Sequence, residues 1–196
     1  MFRALSKIWW LLALCGIVDA IIAAMNLLMM DAGGSVVWDM SVLAIVAGAC
    51  AIIAGVWNSG RGNSWLLSLH GLALGAYGLI GISPLVRGPL SFRPISLLFV
   101  LMALSIGAFA LRSAKTLRTG GPDRWFLTLS ATASICFAFS FIAVGFGWVR
   151  LAPPHSYWIW MGSYFGLCAI FLLYVALHAS GASSIRSQRS APSPVS

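Results

Sequence analysis

The chain has 196 residues, 60% of them hydrophobic and only 8% charged, with a formal net charge of +8. A soluble domain carries about 25% charged residues, so this composition cannot cover a water-facing surface, and most of the surface must meet lipid. The excess of positive charge does not indicate nucleic-acid binding, because the basic residues fall between apolar runs and form no single patch.

Six apolar runs are long enough to cross a bilayer, which takes roughly 20 residues as a helix. They lie at about 8–30, 36–57, 65–86, 95–111, 125–149 and 157–178. Backbone groups in lipid must pair internally, so a span is a helix or part of a closed barrel. The period-2 alternation of barrel strands is absent. The expected fold class is therefore all-α, a polytopic membrane protein with a six-helix bundle over 1–180 and a disordered cytoplasmic tail over 181–196.

Span one opens at Trp10 after Arg3 and Lys7. Its apolar run continues to Met30, too long for the h-region of a signal peptide, so it is expected to remain as a helix. Asp19 stands in its middle, with no other acidic or basic residue within ten positions. At 1.5 Å per residue it is roughly 16 Å from the cytoplasmic end. An Asp there costs on the order of 2.5–3.5 kcal/mol on insertion scales, so it should face the bundle interior. Cys15, Gly16, Ile22, Ala23 and Asn26 share that face by helical spacing. Mid-membrane burial favours the neutral acid. Asp19 is either a proton-responsive group or a packing residue, and the sequence leaves both open.

Span two follows the turn "MDAGGSV" and carries Asp39 near its outer end, at the depth of Asn26, with which it is expected to pair. Span three follows "NSGRGNS" and contains His70 five residues in. A His there titrates near neutral pH, snorkels to the interface or is hydrogen-bonded. Asp19, His70 and Asp39 are the proton-responsive candidates. The linker "SPLVRGPLSFRP" leads to span four, where Pro94 suits the first turn. "RSAKTLRTGGPDR" leads to span five, and "RLAPPHSYW" leads to span six.

Basic residues set the orientation. With a cytoplasmic N-terminus, nine of the twelve Lys and Arg residues lie on the cytoplasmic side and three on the other. This fits the positive-inside rule and places both termini in the cytoplasm. Cys15, Cys50, Cys136 and Cys168 all fall within spans, where cysteine behaves as a small apolar residue.

The spans repeat. "WLLALCGI", "WLLSLHGL" and "WFLTLSAT" open the odd spans at Trp10, Trp65 and Trp125, and these tryptophans are expected to anchor the bundle at the head-group level. The even spans share a central Gly at 48, 107 and 166. The chain is thus organised as three tandem helical hairpins in one orientation. Gly16, Gly48, Gly71, Gly75, Gly107, Gly162 and Gly166 lie on small-residue faces, through which helices in lipid approach closely.

"WWLLALCGI", "WLLSLHGL" and "WFLTLS" resemble the repeated W-x-L-L-x-L-x-G opening of the HdeD-like bacterial acid-resistance membrane proteins. Gly48, Gly107 and Gly166 match that family's glycine before a basic cytoplasmic linker. The resemblance covers about 8–178 and implies a six-span inner-membrane protein tied to survival at low pH. It carries over no catalytic residues. Cys15, His70 and Ser130 stand where the family often has a charged residue, and only Pro84 echoes its Trp-Pro after the odd spans.

The chain has no Glu, and no P-loop, HExxH, GxSxG or EF-hand spacing. The expectation is an integral inner-membrane protein that is not an enzyme, needs no cofactor or metal, and has lipids as partners. Self-association or other membrane proteins remain open. The alternative is a small-solute or ion transporter or channel.

Overall fold

The computed structural model describes residues 7–28, 34–58, 64–83, 92–116, 121–149 and 155–189. They form six helices: α1 Trp9–Leu28, α2 Gly34–Trp57, α3 Trp65–Ile82, α4 Phe92–Thr116, α5 Pro122–Gly145 and α6 His155–Arg189. All six contain a stretch long and apolar enough to cross a membrane, and the protein is an integral, multi-pass membrane protein. Large apolar side chains such as Leu72, Phe139 and Leu177 are exposed. On a lipid-facing surface that is their favourable position.

Helix ends follow local chemistry. α3 stops at Ile82, short of the expected 86. Ser83 is extended, as the residue before a proline must be, and Pro84 follows. α5 begins with Pro122 as its first residue and Asp123 in its first turn. It ends at Gly145, not 149, in a Schellman motif. Gly147 has φ +75°, Trp148 N–H donates to Ala143 O at 2.8 Å, and Gly147 N–H donates to Val144 O at 3.0 Å. α4 runs past 111 to Thr116, so Arg112 and Lys115 lie on its last turns. α6 also runs on to Arg189, because no proline interrupts 179–189. The tail expected to be disordered is helical over 181–189, and 190–196 lie outside the described residues.

Every consecutive pair of helices is antiparallel, and α6 returns to pack on α1. The six helices therefore close into a ring. The contacts around it are unequal. The most extensive join α2 to α3, α1 to α6, and α4 to α5; α1–α2 and α3–α4 are looser, and α5–α6 is the loosest of the neighbouring pairs. The closest pairs are thus displaced by one helix from the hairpins that the sequence repeats.

Small residues explain the three close pairs. A Cβ on Gly48 would lie 2.7 Å from both Gly71 O and Gly75 N, so α2 and α3 meet backbone to backbone. On α1 and α6, Gly16 lies under Leu173 and Gly162 under Leu27 and Asn26. Gly107 of α4 faces Ser134 and Ala131 of α5. Two expected packing glycines play a smaller part. A Cβ on Gly75 would meet nothing within 4 Å, and one on Gly166 would meet only Ala23 Cβ at 3.9 Å. Gly75 contributes its backbone to the approach of Gly48, and Gly166 lies at a looser level of its interface.

The terminal end of the bundle, where α1 starts and α6 finishes, also carries Trp10, Trp65 and Trp125, all exposed. Arg112 of α4 lies over the Trp65 ring, 5.9 Å from its centroid, a cation–π contact. Trp160, in the second turn of α6, packs its ring on Phe141 at 4.1 Å.

Candidate functional site

The interior consists of two apolar clusters. The one nearer the termini includes Leu12, Leu67, Ile106, Leu127 and Phe171. The other includes Ile22, Leu74, Phe99, Phe141, Tyr164 and Phe165. The boundary between them crosses each helix at a similar level, and buried polar residues gather there. His70 falls in the gap on α3, Ser105 on α4 and Ser134 on α5, while Asp19 borders it on α1. Two rows of the repeat build this layer. Cys15, His70 and Ser130 each follow an opening tryptophan by five residues, and Asp19, Leu74 and Ser134 by nine. All six are buried.

Asp19 faces inward as its spacing requires, with Cys15, Gly16, Ile22, Ala23 and Asn26 buried on the same face. It is 1% exposed. Neither of its carboxyl oxygens has a hydrogen-bond partner among the described residues. The groups that feel its charge are the Cys15 and Cys168 thiols and the Tyr164 hydroxyl, and none of these is a cation. Tyr164 is wholly buried with its hydroxyl against the Cys168 thiol, while Ser134 Oγ is unpartnered among the described residues.

His70 does not snorkel. It is 1% exposed, and Nδ1 lies 3.4 Å from Met102 O across the α3–α4 contact. Ser105 Oγ donates to the same carbonyl at 2.8 Å. If Nδ1 carries the proton toward Met102, Nε2 is left as an acceptor, and it has no partner among the described residues. Asp39 lies outside the layer. It is exposed near the start of α2, and the expected pairing with Asn26 does not form. Asn26 Nδ2 donates to Ile22 O at 2.7 Å and contacts Met40 Sδ at 3.2 Å. One helical step decides this, since Met40 points inward where Asp39 points out. Among the cysteines, Cys15, Cys50 and Cys168 are buried free thiols, and Cys136 is exposed on α5.

A second polar group stands apart from the layer, near the terminal end. Tyr174 of α6 donates its hydroxyl proton to Asp123 Oδ1 at 2.5 Å, and His178 Nε2 lies 3.5 Å from the same oxygen. Phe126 stacks on Tyr174 with centroids 3.9 Å apart. Sequence reasoning placed Asp123 in a linker and so missed this contact. The available signal was the i, i+4 spacing of Tyr174 and His178, which puts both on one face of α6.

No family model, curated protein or solved structure matches the chain. Among the described residues no three His, Cys, Asp or Glu side chains are placed to hold a metal ion. Asp19 is a group that can take up and release a proton.

Proposed function

We propose that the protein is a proton-responsive, non-enzymatic protein of a bacterial inner membrane. Its role is protective under acid stress, of the kind the HdeD resemblance implies, and its termini are cytoplasmic. The observation that carries this reading is Asp19, buried in the middle of a span with both oxygens unpartnered among the described residues. An isolated carboxylate in a low-dielectric interior costs several kcal/mol or more, so the closed bundle suits the neutral acid. Releasing the proton requires water to reach Asp19, both to accept the proton and to solvate the carboxylate left behind, and so requires the bundle to loosen. Acid then holds the bundle compact instead of unfolding it.

The apolar clusters on either side of the polar layer weigh against a conducting path. Leu12 and Phe171 lie on one side of Asp19, and Ile22, Phe99 and Phe141 on the other. Proton flux into liposomes containing the protein, measured from pH 4 to pH 8, tests this. The expected flux equals that of protein-free liposomes, for wild type and Asp19→Asn alike. A flux that disappears in Asp19→Asn would instead establish the transporter alternative.

A further inference from the structure

The α5–α6 contact differs from the three close pairs of the ring. Elsewhere the closest pairs meet through Gly, Ala and Ser, with backbones near one another. Across α5–α6 the helices are held apart by long aromatic side chains. In the half away from the termini, Phe137 and Phe141 of α5 touch the Tyr164 ring of α6 at centroid distances of 5.6 and 5.5 Å. In the terminal half the contact is Phe126 on Tyr174. An interface made of ring contacts has few backbone neighbours and can separate by rotamer changes, without unzipping a stripe of small residues.

We propose that α5–α6 is a lateral seam in the bundle wall, latched at the terminal end by Asp123 with Tyr174 and His178. Tyr164 is the first residue behind the seam. Its ring closes against Phe137 and Phe141, while its hydroxyl lies within the electrostatic reach of Asp19. When the latch releases, the terminal ends of α5 and α6 part and water enters between them from that interface toward the polar layer, while the flanks of the seam stay in lipid. The latch is placed to govern this. Tyr174 donates to a carboxylate that lies in the first turn of α5, a charge-assisted bond of the stronger class. Asp123 and His178 are each about two-fifths exposed, at 39% and 38%, so the latch is open to solvent while the layer it guards is not. The seam goes beyond the proton-responsive reading and stands even if Asp19 serves packing alone.

Cys168 reports on the seam. It is 1% exposed and lies one turn from Tyr164 on α6. Full-length protein with Cys15, Cys50 and Cys136 replaced by Ala is reconstituted in liposomes and alkylated with N-ethylmaleimide. Tyr174→Phe keeps the ring stack on Phe126 and removes only the hydroxyl; Asp123→Asn removes the charge. Each is expected to speed alkylation of Cys168 about tenfold. A companion protein retaining only Cys50, a buried thiol on α2 in the apolar cluster nearer the termini, is expected to react at its parent rate in both variants. Unchanged Cys168 rates overturn the proposal. So does equal acceleration at Cys50, because that is general loosening and not a seam.

Discussion

Gly48→Leu is expected to be among the most damaging single substitutions in the bundle. A Cβ at this position already lies 2.7 Å from the backbone of Gly71 and Gly75, and backbone atoms cannot yield as side chains do. Forcing extra carbon into a close-packed site commonly costs 1–3 kcal/mol. Here a whole isobutyl group must part the most extensive helix pair in the ring, so a loss of about 3 kcal/mol or more is expected. Heating the purified protein in detergent and following its helical circular dichroism measures it. Gly75→Ala and Gly166→Ala are the matched controls, since their added methyls meet open space or an ordinary contact with Ala23. They are expected to change stability by no more than about 0.5 kcal/mol. Equal damage from all three would show that glycine content, not close approach at Gly48, sustains the bundle.

Asp19→Leu is expected to act in the opposite direction. Leu74 occupies the equivalent place in the second repeat and is buried in an apolar cluster, so the scaffold accommodates this side chain there. Removing a buried group with no hydrogen-bond partner recovers roughly 1–3 kcal/mol of desolvation cost. Asp19→Asn keeps the polarity and is not expected to gain it. The same substitution should remove a pH dependence. In a loosened bundle, a solvated Asp ionises above a reference value of about 3.9, while in the closed bundle Asp19 keeps its proton. The closed form then binds the extra proton, and its stability falls as pH rises above about 4, by up to about 1.4 kcal/mol per unit. Unfolding of wild type should show this slope, and Asp19→Leu should lack that part of it. A variant that is destabilised and keeps the slope would place the response at another residue.

Much of this was legible in the sequence because lipid imposes simple rules. Six apolar runs become six helices, and the inward face of α1 follows from the cost of exposing Asp19 to hydrocarbon. The partner of each helix was harder to read. A sequence repeat shows which helices are alike, not which ones touch. Close approach needs small residues on both facing surfaces, and these occur on α2 with α3, α4 with α5 and α6 with α1, across the hairpin units. The polar contacts that escaped notice depend on single helical steps. Met40 and not Asp39 faces Asn26, and His70 turns to Met102 O instead of the interface. Asp123 joined Tyr174 and His178 only because α5 begins three residues before Trp125, which a hydropathy boundary cannot resolve.

Infrared spectroscopy of the protein in bilayers tests the central claim most directly. The carboxyl C=O stretch of Asp19 is identified by its absence in Asp19→Asn and followed from pH 2 to pH 8. The account predicts a protonated carboxyl band at neutral pH, at the high-frequency position of an acid without hydrogen-bond partners. A band that gives way to carboxylate near the reference value of about 3.9 would show Asp19 solvated, and would contradict both its burial and its role as the proton-responsive group.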